Sequence, residues 1–166
     1  MRPPYLHLAP FDLSTGHTGA VIKTIPDALW DRSWDGVRTL REQLLHMALV
    51  RESICRQLAG EPTTGLGTTF EAPGWKEGTT SLESAFKEHS DRCRELLGRL
   101  NEGGLDTPFT TPFGNRSTPR NYLRMMLLEE HHHRAQMTQL LRLAGLEPPP
   151  YPGQAWVELG VEQEGR

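Results

Sequence analysis

Three stretches of this chain combine a helix start signal with an apolar period near 3.6 residues, and few folds are open to a chain built that way. Thr39 and Glu42 have the spacing of a capping box and precede Leu44, Leu45, Ala48, Ile54 and Leu58, with Gly60 beyond them. A helix is expected over 39–59. A second box at Thr80-Ser81-Leu82-Glu83 leads into Leu82, Phe86, Cys93, Leu96, Leu97 and Leu100 and stops at Gly103-Gly104, which predicts a helix over 81–101. Ser117-Thr118-Pro119 opens the third, which runs through Leu123, Met126, Leu127, Met137, Leu140 and Leu141 to Gly145 and is expected over 119–144.

The N-terminal part is less regular. Leu13, Val21, Ile22 and Ile25 allow one more helix over 11–25, closed by Pro26. Four helices are the number that encloses a bundle core, so the fold class is all-α, in one domain over 1–166. The connections after Gly60 and after Gly103 are long enough to lid one end of a bundle, and their Thr/Phe runs could pair only briefly. Beyond Gly145, the run Leu146-Glu147-Pro148-Pro149-Pro150-Tyr151-Pro152 must be an extended tail.

Composition narrows the function. At 166 residues a domain buries roughly 70% of the surface of its unfolded chain, so no staple is needed. The 18 basic residues are scattered among 21 acidic ones, with a net charge of −3, which argues against nucleic acid as a partner. No run approaches the roughly 18 apolar residues of a membrane span, and the N-terminal MRPPYLHLAPFDLSTG has no apolar signal region. A cytoplasmic protein is expected. Cys55 and Cys93 fit neither a disulfide scaffold nor a zinc-finger spacing, and are read as two reduced cysteines at or near helix faces.

The stretch LLEEHHHRAQ, residues 127–136, places two carboxylates and three imidazoles inside the last helix. Positions 126, 129, 133, 137 and 140 follow one another at steps of three or four, so Glu129 and His133 project onto the apolar stripe. Glu130 falls at its border, and His131 and His132 turn toward solvent. On the second helix, His46 interrupts the apolar run Leu44-Leu45-His46-Met47-Ala48-Leu49, where an imidazole needs partners for both nitrogens or a metal. His46, Glu129 and His133 together make three ligands with open positions, a donor set suited to zinc, nickel or iron. A core histidine and a simple Glu/His hydrogen bond are the competing reading.

The ordered set Arg38-Thr39-Leu40-Arg41-Glu42-Gln43-Leu44-Leu45-His46, Glu129-xxx-His133-Arg134-Ala135-Gln136 and Leu141-Arg142-Leu143-Ala144-Gly145-Leu146-Glu147-Pro148-Pro149 resembles the DinB/YfiT-like superfamily of metalloenzymes, over roughly Ile25 to Tyr151. The resemblance implies an up-down-down-up four-helix bundle with a divalent metal held by a histidine of the second helix and an H-x-x-x-H pair of the last, typically HExHHRGQ. His133 is then the carried-over ligand, and Glu129 stands where the family has its first histidine. Three outcomes follow: Glu129 ligates, or a helix shift recruits His132 or His131, or the site is degenerate.

The resemblance further implies a low-molecular-weight-thiol-dependent S-transferase in stress or detoxification, acting on a small-molecule substrate with a bacillithiol- or mycothiol-type cosubstrate. It also implies a homodimer. Arg41, Arg51 or Arg134 would meet acidic groups of the cosubstrate, and Gln136 would orient a ligand. A metal-dependent hydrolase, with Glu130 or Glu52 as base, is the first alternative. A non-catalytic dimeric bundle is the second.

Overall fold

The structure is a computed structural model that describes residues 8–63, 81–101, 103–111 and 114–150. Four helices carry it: α1 (Leu8–Lys23), α2 (Leu40–Leu58), α3 (Leu82–Gly98) and α4 (Pro119–Leu143). A hairpin of β1 (Phe109–Thr110) and β2 (Arg116–Ser117) lies between α3 and α4, with Phe109 opposite Ser117 and Thr110 opposite Arg116. Pro112 and Phe113 of the second Thr/Phe run lie outside the described residues.

The start signals act as expected. Thr39 accepts a hydrogen bond from the Glu42 amide at 3.1 Å while the Thr39 amide donates to the Glu42 carboxylate at 2.8 Å, completing the box. Thr118 caps α4 ahead of Pro119. Ser81 caps α3 through the Ser84 amide; Thr80 of the expected box lies outside the described residues, as does most of the connection expected to act as a lid. α2 and α4 end at Gly60 and Gly145, whose φ of 73° and 81° is open to glycine without strain.

Two helices differ from expectation in their bounds. α1 begins at Leu8 and ends at Lys23 instead of spanning 11–25, because Pro10 falls in the first turn, where its missing N–H costs no hydrogen bond. α3 ends at Gly98 and not at 101. Arg99 and Leu100 continue only as tight turns onto the carbonyls of Leu96 and Leu97, and the Asn101 side chain then accepts from the Gly104 amide.

The core forms two apolar clusters. One gathers Val21 and Ile22 with Leu40, Leu44, Ala85, Phe86, Leu140 and Leu141. The other gathers Leu8 and Phe11 with Ile54, Cys55, Leu96, Leu97, Leu123 and Met126. α1 and α4 therefore start in the second cluster and end in the first, while α2 and α3 run the opposite way. The bundle is up-down-down-up. Each of α1 and α4 is antiparallel to a helix it packs on, and α2 runs parallel to its neighbour α3.

Between the two clusters lies a layer of buried polar side chains: Ser14, His17, Thr18, Arg51, Glu52, His89, Ser90, Glu130, His133 and Arg134. Arg51 and Glu130, 1% and 0% exposed, form its centre, with Nε to Oε1 at 2.5 Å and a second nitrogen to Oε2 at 2.9 Å. Ser14 of α1 donates to the same carboxylate at 2.6 Å, and Arg51 also reaches Thr15 and Ser90. Arg134 donates to the Ser14 and Thr18 hydroxyls, both at 2.9 Å.

Two outcomes are expected of α1. Gly16 is exposed, and a Cβ there would meet nothing within 4 Å. Gly16→Ala should stabilise the protein by about 0.5–1 kcal/mol in urea melts, by lowering the entropy of the unfolded chain. Burial, with the charges of Arg134 and His131, holds the His17 imidazole down at about 4 from its ordinary 6.5. The unfolded chain therefore binds a proton that the folded one does not, and stability falls as pH drops from 6.5 toward 4. Between pH 7 and 5 the loss from this group should be about 1–2 kcal/mol, absent in His17→Phe when the two proteins are melted at each pH.

Candidate metal centre

His46 is delivered by α2 and Glu129 and His133 by α4, two antiparallel helices in direct contact. One turn of α4 separates Glu129 from His133, so both project from one face toward α2. His46 Nε2 lies 3.3 Å and His133 Nε2 3.1 Å from the same oxygen, Glu129 Oε1. The two rings meet edge to face with centroids 4.6 Å apart. One donor atom from each of the three residues lies within 4.8 Å of the others.

The protonation of His133 follows from its other side. Its Nδ1 faces the side-chain oxygens of Gln43 at 2.5 Å and Gln136 at 3.2 Å. Both are acceptors, so Nδ1 carries the proton. A neutral ring then turns the Nε2 lone pair at a carboxylate oxygen, an arrangement that repels unless a cation sits between them. Burial holds the His133 imidazole below its ordinary value, with Glu129 partly offsetting it, which favours the neutral ring. Burial alone would push the Glu129 carboxyl up, but the two imidazoles beside it leave it lowered, which favours the anion. The donor set of two imidazoles and one carboxylate fits a divalent cation, with Gln43 and Gln136 fixing the tautomer.

The site opens outward. The side chain of His133 is 8% exposed, that of His46 25% and that of Glu129 45%. Three protein ligands on an accessible edge leave positions for an exogenous ligand. A groove of about 200 Å³ lined by His17, His131, Arg134 and Pro148 includes none of the three.

The burial of the two adjacent glutamates departs from the helical projection. Glu130, expected at the border of the stripe, is fully buried, and Glu129 occupies the border. His131 and His132 are exposed, as projected. Glu130 and Glu52, considered as bases, are both engaged elsewhere: Glu130 by Arg51 and Ser14, Glu52 by Arg56 at 2.5 Å and Arg92 at 2.8 Å. Of the arginines considered for cosubstrate contact, Arg51 and Arg134 are buried in the polar layer and Arg41 holds Asp31 at 2.7 Å. Gln136 lies against His133 Nδ1 at 3.2 Å. Gln43 was missed, although its place three residues before His46 on one helix face was a signal for it.

The sequence model of the DinB family matches residues 8–164. The chain belongs to the DinB family. Its fold is similar to the crystal structure of a DinB-like protein from Bacillus cereus, with a TM-score of 0.61 and 18% identity over 87% of this chain and 94% of that one. Among proteins of curated function none matches the sequence. No described helix of this DinB protein is long and apolar enough to cross a membrane.

The two glutamates should separate in mutagenesis. Glu130→Ala leaves Arg51 charged and unpaired in the core and should destabilise by about 3–5 kcal/mol in urea unfolding. Glu129→Ala, at a half-exposed position, should cost less than about 1 kcal/mol in metal-free protein.

Proposed function

We propose that this DinB protein is a divalent-metal-dependent enzyme that transfers a low-molecular-weight thiol of the bacillithiol or mycothiol type to an electrophilic small molecule, in stress or detoxification. The observation that carries the metal is His133, whose Nε2 lone pair faces Glu129 Oε1 because Gln43 and Gln136 hold the other nitrogen. His46, Glu129 and His133 would hold zinc, nickel or iron. Bound there, the cation supplies Lewis acidity that keeps a thiol ionised at neutral pH.

The thiol reading is preferred over hydrolysis by what surrounds the triad. Activating water for hydrolysis calls for a general base beside it, and Glu130 and Glu52 are both held in arginine ion pairs. A thiol needs no such base once ionised. The chain's own work is then to fix His133, keep Glu129 anionic and leave the outer edge open to the cosubstrate. Met125 and Leu128, exposed and three apart on α4, offer an apolar patch for the homodimer that the family resemblance implies. A cytoplasmic location, where such thiols are abundant, belongs to the same proposal.

Elemental analysis of protein purified without chelator or affinity metal should show about one equivalent more of divalent metal in the wild type than in His46→Ala and in Glu129→Ala. With that metal in place, conjugation of an electrophile should require added thiol. Turnover without thiol would move the reading to a hydrolase. Identical metal content in the wild type and both variants would leave a non-catalytic bundle.

A further inference from the structure

A second set of donor side chains converges between the parallel helices α2 and α3. Glu52 and Cys55 are three apart on α2, and His89 and Cys93 four apart on α3, so each pair shares a helix face. All four are buried, with Glu52, Cys55 and Cys93 fully enclosed. Cys93 Sγ lies 3.5 Å from Glu52 Oε2 and 3.6 Å from His89 Nε2, and His89 Nδ1 lies 3.4 Å from Glu52 Oε2. Single donor atoms of Glu52, His89 and Cys93 fall within 4.8 Å of one another; Cys55 stands outside that set, beside Cys93.

The surroundings orient these donors. Arg56 and Arg92 both hold Glu52 Oε1, which leaves Oε2 as the oxygen aimed at Cys93 and His89. The His89 imidazole is hydrogen-bonded to the Ala48 carbonyl, which only a ring N–H can satisfy. The other ring nitrogen of the neutral imidazole then presents a lone pair, the arrangement of metal-binding histidines.

We propose that Glu52, Cys55, His89 and Cys93 form a second divalent-metal site, distinct from His46, Glu129 and His133 and suited to zinc. Two sulfurs, one imidazole and one carboxylate are a tetrahedral zinc donor set. Bonds of roughly 2.0–2.3 Å imply donor separations of roughly 3.3–3.8 Å, which the Cys93 contacts already show. Binding releases the two thiol protons to solvent; the two thiolates offset the charge of the cation, and Glu52 keeps its balance with Arg56 and Arg92. Four protein ligands in a closed interior make a structural site, one that ties α2 to α3.

The test is cobalt(II) loading during expression of the full chain, since thiolate–cobalt charge transfer absorbs strongly in the near ultraviolet and a site of imidazole and carboxylate does not. The wild type and a His46→Ala/His133→Ala double variant should both show the band, with about one equivalent of cobalt remaining in the double variant. Cys93→Ser and Cys55→Ser should each lose it, with circular dichroism showing helix content retained in at least one. Cobalt bound to the wild type without the band, no cobalt in the double variant, or a band that survives in a folded Cys93→Ser variant would overturn the proposal. So would free-thiol titration showing Cys55 and Cys93 oxidised to a disulfide in freshly isolated protein.

Discussion

The ion pair between Arg51 and Glu130 fixes the register of the whole bundle. It joins α2 to α4, and through Ser14, Thr15 and Ser90 it reaches α1 and α3 as well, so one carboxylate and one guanidinium touch all four helices. Taking both charges out of water costs several kcal/mol per ion, which the bidentate geometry and the hydroxyl partners offset. A one-residue slip of α2 or α4 would leave a buried charge without its partner, and a slip of α1 or α3 would remove hydroxyls that hydrogen-bond the pair. The value of the pair lies in that specificity more than in net stability.

Its consequence for function comes through sequence neighbours. Glu129 precedes Glu130 and Glu52 follows Arg51, each turned by about 100° around its helix from the residue that is locked. Locking Glu130 inward therefore sets Glu129 on the flank that faces His46, and locking Arg51 sets Glu52 on the flank that faces α3. The two donor clusters stand on either side of one polar layer because the same ion pair aims both. The apolar clusters above and below it make that layer a place where solvent competes little for the donors.

The helices were legible because caps and periods are local. Thr39, Thr118, Gly60 and Gly145 lie where sequence put them, and the bounds that moved, at Leu8 and Gly98, are where a first-turn proline and a weakening last turn decide. His46, Glu129 and His133 could be found because a polar residue in an apolar run and an i,i+4 pair are visible in one dimension. Which glutamate would be buried was not visible, since the period put Glu129 on the stripe and Glu130 at its border, the reverse of what the fold does. Arg51, 79 residues away, decides it. Cys55 and Cys93, read as reduced, are free and buried, but the meeting of Cys93 with Glu52 and His89 requires α2 and α3 to lie parallel. That is a property of topology and not of spacing.

The two clusters differ in what their burial permits. The triad has three donors, one of them 45% exposed, so anything bound there can exchange a ligand with solvent. The Glu52 cluster has four donors, none of them exposed, and offers no position to a substrate. A bundle whose α2 and α3 run parallel must join them by a long connection, which does little to hold the pair together. A closed cross-link between those two helices acts where the covalent chain constrains least. Under the two proposals, chemistry belongs at the open triad between α2 and α4, and holding the scaffold for it belongs at the closed cluster between α2 and α3.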